Sequence, residues 1–89
     1  MTRETTSFDG KIECVGEINT IERKEKKPFR KRIIGVRKDD GQLAFFESRK
    51  DLDNEIPVGS LVTIHYYFAG SVKNEKWYNN AIINHIQFN

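Results

Sequence analysis

The sequence has 89 residues, the length of one small domain, and its 37% hydrophobic and 31% charged residues exclude a fully disordered chain. Its formal net charge of +2 excludes a polycation that would coat nucleic acid indiscriminately. A single cysteine, Cys14, excludes an internal disulfide framework and leaves too few thiols for a zinc site.

Positive charge is concentrated in one segment of this nearly neutral chain. Residues 23–38, RKEKKPFRKRIIGVRK, contain nine Lys or Arg and a single acid, Glu25, whereas residues 39–56 contain six acids and two basic residues. The basic segment also carries apolar residues such as Ile34 and Val36, which a disordered tail would not need. We therefore predict an ordered strand that presents positive charge to an anionic partner.

The first predicted strand follows a polar N-terminus. We predict that residues 1–7 are flexible and that residues 8–89 form one domain. In the first strand apolar residues alternate with polar ones, and Cys14 is in phase with Ile12, which predicts a small buried hydrophobe. Gly16, in the middle of this pattern, predicts a bend or a bulge.

A polar loop and a hairpin come next. The segment ERKEKKP, residues 22–28, is predicted to be a loop, and FRKRIIGVRK, residues 29–38, the second strand. The DDG sequence after it is a strong turn signal, and it leads into LAFFES, residues 43–48, as the third strand. These three strands form a predicted meander.

A short helix is predicted after the third strand. Ser48 suits a helix N-cap, and Asp51 three residues later favours the amide-rich start of a helix. Leu52 and Ile56 lie four residues apart and would share one face of about two turns of helix. Pro57 would end that helix.

Two more strands complete the pattern. Residues 60–70 and 77–88 are predicted strands, and residues 71–76, SVKNEK, are a predicted polar loop between them. The order strand, strand, strand, helix, strand, strand is that of the OB-fold, an all-β, five-stranded Greek-key barrel with a short helix between strands 3 and 4. An SH3-like barrel is the main alternative, but it normally lacks that helix.

A distinctive pair of strand motifs lies in the C-terminal half of the sequence. A V-G-x-x-V-T strand leads through a polar loop to a K/R-W-Y strand, and the residues that form this pattern are Val58, Gly59, Val62, Thr63, Ile64, Lys76, Trp77 and Tyr78. This pattern resembles a family of small bacterial OB-fold proteins related to single-stranded DNA-binding proteins, and FRKRIIGV is similar to the family's second strand. The resemblance covers roughly residues 8–88 and implies an OB-fold and single-strand binding.

Basic residues would flank the predicted binding groove. An OB-fold binds its ligand across strands two and three, between the loop joining strands one and two and the loop joining strands four and five. Strand alternation places Arg30 and Arg32 on one face of the second strand and Lys31 on the other. The candidate phosphate-binding residues are Lys24, Lys26, Lys27, Arg30, Arg32, Lys73 and Lys76.

Aromatic rings would supply the second part of the site, because unpaired bases stack on them regardless of sequence. Phe45 and Phe46 face opposite ways along the third strand, so one of them must point outward or lie at an edge. We predict Phe46 and Tyr67 as stacking rings. Trp77 and Tyr78 are further candidates, although large aromatic residues usually supply burial, which is the alternative for Trp77.

Two functions fit this pattern. The sequence shows no nucleophile and base pair, carboxylate dyad, phosphate-binding glycine loop or metal-ligand spacing, so we expect no enzyme activity and no cofactor. We predict a non-enzymatic protein that binds single-stranded DNA, with RNA left open. The alternative is an interaction module in which the barrel forms a homodimer or higher oligomer through an edge strand. No signal-like or membrane-spanning apolar stretch is visible, which favours the cytoplasm.

Overall fold

The chain folds into β-strands joined by turns and loops. The computed structural model describes residues 4–50 and 52–89, and within them no helix has the length and hydropathy to cross a membrane. Alternation of apolar and polar residues, which suits strands with one buried face, runs through the longer strands. The strands are β1 (Thr6–Val15), β2 (Asn19–Ile21), β3 (Phe29–Arg37), β4 (Leu43–Ser48), β5 (Leu61–Lys73) and β6 (Lys76–Phe88).

Five of these strands close into a barrel. The order around the barrel is β1, β5, β6, β4 and β3, and pairing of β3 with β1 closes the ring. Neighbours are antiparallel except β4 and β6, which are parallel where Glu47 lies opposite Ile82. The short β2 adds to the start of β3. The predicted all-β, five-stranded barrel is confirmed, and its strand order fits an OB-like barrel.

The barrel interior is filled by side chains that alternate along each strand. Ile34 and Val36 of β3 and Ile64 of β5 have no exposed surface. β-branched and aromatic side chains suit such a pleated, half-buried surface, which is why the alternation predicted these strands. The core cluster consists of Phe8, Ile12, Ile34, Val36, Phe46, Val62, Ile64 and Ile83.

The predicted helix between the third and fourth strands of the barrel is wrong. In the described residues between β4 and β5 the chain makes turns and bends instead, and Asp51 lies outside those residues. The Ser48 hydroxyl, the expected helix cap, donates to a carbonyl two residues later at 3.3 Å. Leu52 is nevertheless buried, and Ile56 packs against the core cluster. The apolar spacing found the right residues, but a helix this short gains too few hydrogen bonds to offset nucleation.

β1 contains a bulge that changes the direction of its side chains. The register shifts between Ile12, which lies opposite Val36, and Cys14, which lies opposite Gly35, so Glu13 is the extra residue. The extra residue turns the Cys14 thiol outward, where it is exposed. The prediction that this cysteine is buried is therefore wrong.

The ends of β1 also differ from the prediction. The strand begins at Thr6, within the segment predicted to be flexible, and residues 1–3 of that segment lie outside the described residues. The strand ends at Val15, and the amide of the following Gly16 donates to the Ile33 carbonyl at 2.8 Å. The bulge therefore precedes its predicted position.

The predicted loop between the last two strands is a tight hairpin. β5 and β6 continue to Lys73 and Lys76, which lie opposite each other across a two-residue turn. The turn residues Asn74 and Glu75 have φ angles of 52° and 64°, as a type I′ turn requires. The sequence lacks the Asn-Gly or Asp-Gly signal of such turns, so it resembles a longer loop. We call residues 67–81 the arm, because the pairing of β1 with β5 ends before it.

Candidate nucleic-acid interface

The outer surface of β3 and β4 combines exposed apolar and charged residues. Ile33 pairs with Glu47 and Gly35 pairs with Phe45, and strand alternation turns these residues away from the core. Ile33 is 42% exposed and Phe45 is 56% exposed. Gly35 leaves room beside the Phe45 ring for the Cys14 sulfur, because a Cβ at Gly35 would lie 2.6 Å from that sulfur. We call this surface of β3 and β4 the outer face.

A buried carboxylate organises the cations of the outer face. The Glu47 side chain is 5% exposed; its Oε1 accepts a 2.8 Å hydrogen bond from the Lys31 ammonium, and its Oε2 pairs with the Arg49 guanidinium. Burial raises the pKa of the Glu47 carboxyl, but hydrogen bonds from Lys31 and Arg49 outweigh burial and leave the pKa below its ordinary value. One ionised carboxylate thus orients two cations, and the cluster keeps one net positive charge.

Phe29 connects the basic loop to this cluster. Two guanidinium groups lie against its ring, with Arg23 at 4.9 Å and Arg49 at 4.5 Å from the ring centroid. Arg23 also donates to the Lys27 carbonyl at 2.6 Å and 3.0 Å, which folds the loop between β2 and β3 back on itself. Because cations occupy the ring, we assign Phe29 to holding this loop rather than to stacking on bases.

The loop between β2 and β3 presents further positive charge. Lys24, Lys26 and Lys27 are all exposed. The loop joins two paired strands, since Ile21 of β2 lies opposite Phe29 of β3. The three lysines therefore lie at the end of the outer face where β3 begins.

Arg30 and Arg32 do not face this surface. They share the strand phase of the buried Ile34, which directs them toward the end of the barrel. Arg30 forms an exposed ion pair with Asp53 at 3.6 Å. Arg32 is buried; its Nη2 donates to the Asn54 carbonyl at 2.9 Å, and its Nε has no hydrogen-bond partner among the described residues. Arg32 is therefore corrected from a phosphate-binding residue to an anchor for the loop after β4.

Phe46 is likewise removed from the candidate site. It is 2% exposed, and its ring centroid lies 5.3 Å from that of Phe8 and 4.9 Å from that of Tyr66. The prediction that one ring of the Phe45 and Phe46 pair points outward is confirmed. The outward ring is Phe45, because Phe46 pairs with the fully buried Ile34 and must share its inward direction.

The arm carries its lysines and its most exposed ring on opposite faces. Residues directly opposite in an antiparallel pair share a face, and the register pairs Lys73 with Lys76 and Val72 with Trp77. Tyr78, two residues from Lys76, lies on the lysine face and is 45% exposed. Trp77 is 87% exposed on the other face, so the alternative that it is buried is wrong.

Tyr67 lies where the arm meets the outer face. It is half-buried and lies opposite Ile82 of β6, and Ile82 is in turn the neighbour of Glu47 across the parallel pair. The lysine face of the arm, which contains Tyr67 and Tyr78, therefore continues the outer face of β4. The structure brings these two predicted rings to one surface with Phe45.

The far end of β3 is already neutralised within the chain. Arg37 donates to both carboxylate oxygens of Glu13, at 2.6 Å and 2.9 Å, and to the Gly41 carbonyl at 2.8 Å. The hydrogen bonds between the two side chains lower the pKa of the Glu13 carboxyl and raise the pKa of the Arg37 guanidinium. Arg37 is thus less available to phosphate than the lysines of the loop and of the arm.

Sequence reasoning missed three members of this surface. If Ile34 and Val36 are assigned to the core, strand alternation places Lys31 on the outer side of β3. The hairpin register then places Phe45 on the same outer side. No sequence signal pointed to Arg49, whose position depends on Glu47. Among the residues that the structure describes, no group of three or more His, Cys, Asp or Glu could hold a metal ion.

Comparison with known proteins adds no relative. No protein-family model, no curated protein and no solved structure matches the chain. The resemblance to OB-fold proteins related to single-stranded DNA-binding proteins therefore stays a prediction based on the motifs themselves.

Proposed function

We propose that this chain is a non-enzymatic OB-type protein that binds single-stranded DNA across its outer face. Phosphates contact the loop lysines at one end and Lys73 and Lys76 of the arm at the other. Bases stack on Phe45 and on Tyr67 or Tyr78. The observation that carries the proposal is Phe45, a ring that is 56% exposed between these two groups of cations.

The balance of rings and cations favours single strands over duplexes. Unpaired bases expose flat faces that gain about 1 to 3 kcal/mol each by stacking on an aromatic ring. In a duplex those faces are already stacked on each other, so an exposed Phe45 beside Ile33 would gain little. The ligand therefore needs unpaired bases as well as phosphates.

The ion cluster limits how strongly the middle of the face attracts phosphate. Glu47 already binds Lys31 and Arg49, so only one net charge remains for a ligand at that point. We assign most of the salt-dependent binding to the two ends of the face. RNA shares the same phosphates and bases, and it is a ligand as well unless the groove senses the 2′-hydroxyl.

A labelled oligothymidine tests the proposal by fluorescence anisotropy at several salt concentrations. Phe45→Ala is expected to weaken binding about 5- to 150-fold, the equivalent of one lost stacked base. The matched control is Phe88→Ala, which removes a ring that is 53% exposed at the C-terminal end of β6, away from the arm and the outer face of β4. Wild-type protein that fails to bind at low salt, or equal losses for the two variants, would exclude this function.

A further inference from the structure

The β5 edge of the arm has no strand beside it in the described part of the chain. β1 pairs with β5 only as far as Thr6 opposite Tyr66, while β5 continues to Lys73. A two-stranded ribbon is marginally stable alone, and an uncovered apolar edge invites pairing with another strand. The stretch FAGSV, residues 68–72, contains no charge that would oppose such pairing.

The hydrogen-bond pattern shows which backbone groups lie on that edge. Lys73 and Lys76 flank a two-residue turn and so form a hydrogen-bonded pair, and such positions recur at every second residue. The Asn89 amide, which donates to the carbonyl of Leu61 at 2.9 Å, follows the same odd-numbered phase. The amides and carbonyls of even-numbered residues therefore point to the open edge, and in the arm these residues are Phe68, Gly70 and Val72.

The side chains beside this edge are apolar and exposed. Phe68 is 59% exposed, Val72 is 71% exposed, and Trp77, which lies opposite Val72, is 87% exposed. All three lie on the face of the arm that lacks lysines, because Lys73 and Lys76 point to the other side. A surface without cations is unsuited to phosphate, so the nucleic acid proposed above does not occupy this face.

We propose that two copies of this chain associate by antiparallel pairing of β5 with β5 across a two-fold axis at Gly70. In that register Gly70 faces Gly70 of the partner subunit, and Phe68 faces Val72 of the partner subunit. The pairing satisfies the open amides and carbonyls of both copies with about six backbone hydrogen bonds. Phe68, Val72 and Trp77 of the two copies then form one continuous apolar strip on a four-stranded sheet.

This register is the one that the arm's charges and its neighbouring strand allow. It sets Lys73 opposite Tyr67 of the partner subunit, so no like charges face each other. A two-fold axis at Phe68 would bring the second copy against β1, which occupies the edge up to Tyr66. An axis at Val72 would leave Phe68 unpaired, so Gly70 is the centre that uses all three open positions.

The interface is isologous, as closed two-fold dimers require. Edge-to-edge pairing buries the two β5 backbones and the flanks of Phe68 and Val72, whereas Trp77 lies on β6, one strand away from the paired edge. The buried area is therefore smaller than the about 800 Å² per partner of a standard interface. We therefore expect a reversible dimer with micromolar dissociation, which leaves both outer faces open.

Gly70 offers a selective test of this dimer. Its amide points to the open edge and a Cβ there would meet nothing closer than the Tyr78 carbonyl at 3.8 Å, so both Gly70→Pro and Gly70→Ala fit the isolated chain. Gly70→Pro removes the central amide and should weaken association about tenfold or more, whereas Gly70→Ala should associate like the wild type. Sedimentation velocity over a range of protein concentrations measures both, and circular dichroism checks the fold.

A second variant and a second readout keep the test decisive. Val72→Lys changes a side chain that is 71% exposed, so the monomer is retained while the apolar strip of the dimer is broken. Hydrogen exchange of the wild type should show amides of Phe68, Gly70 and Val72 that become protected as concentration rises. A wild type that stays monomeric, or a dimer that Gly70→Pro leaves intact, would overturn the proposal whatever the outcome with DNA.

Discussion

At the scale of single residues, Glu47 has the most connected position on the outer face. Its carboxylate is nearly buried and is bound by Lys31 and Arg49, and Arg49 also lies against the Phe29 ring. Loss of a buried charge partner leaves the remaining charges without compensation, which costs more than loss of an exposed pair. Glu47 therefore links the stability of the barrel to the arrangement of the cations on the outer face.

We expect Glu47→Gln to lower the free energy of unfolding by about 1 to 3 kcal/mol, which is below the about 3 to 5 kcal/mol for breaking a fully buried pair because both cations are partly exposed. The pKa of Glu47 is depressed in the folded chain, so its contribution is present above the ordinary Glu pKa and is lost as pH falls through the folded value. Urea unfolding between neutral and acidic pH measures both effects.

The control for this prediction is Glu13→Gln, which removes a carboxylate that is also depressed in pKa but belongs to an exposed ion pair with Arg37. At neutral pH, Glu13→Gln should lower the free energy of unfolding by less than Glu47→Gln does. Equal stability of the Glu47→Gln variant and the wild type at neutral pH would show that the carboxylate does not organise the face.

At the scale of elements, β1 is the strand that closes the barrel, since it pairs with β5 along its first half and with β3 along its second. Gly10 lies where these two pairings meet. A Cβ at Gly10 would lie 2.6 Å from the Arg37 carbonyl oxygen and 2.8 Å from a methyl of Val36. The absence of a side chain at Gly10 therefore lets β1 cross close to β3.

We expect Gly10→Ala to destabilise the chain by about 1 to 3 kcal/mol, because the added methyl group is forced against backbone that is held in the barrel. Gly35→Ala is the matched comparison, since its Cβ would meet the Cys14 sulfur and the Phe45 ring, which are side-chain atoms that can move. Thermal unfolding of both variants tests the ranking. A larger loss for Gly35→Ala would mean that β1 does not approach β3 as closely as described.

At the scale of the whole molecule, the distribution of charge matters more than its total. The net charge is +2, yet the loop between β2 and β3 and the end of the arm each present lysines to the proposed groove. Several acidic residues instead form ion pairs with basic residues of the same chain, as Asp53 does with Arg30 and Glu13 does with Arg37. The proposed binding of a polyanion along one path therefore does not require a general polycation.

We expect the combined variant Lys24→Ala, Lys26→Ala and Lys27→Ala to reduce the salt dependence of oligothymidine binding. In a plot of the logarithm of the binding constant against the logarithm of the salt concentration, each lost phosphate contact reduces the steepness by about 0.7. Three lost contacts reduce it by about 2. The three side chains are exposed, and unfolding in urea should be unchanged. An unchanged slope would place the phosphates elsewhere, and Lys11→Ala, on the β1 side of the barrel, serves as the control.

The sequence by itself determined the five barrel strands, the barrel class and the packing of Leu52 and Ile56 toward the barrel, because alternation and apolar spacing follow directly from burial of one face. Only the tertiary structure decided which of Phe45 and Phe46 points outward. Strand alternation assigns side chains to two faces, but it does not show which of the two faces is buried. The bulge at Glu13, which exposed Cys14, arises from fitting β1 to two neighbours at once. Pairing between distant strands sets these features, and no local pattern encodes it.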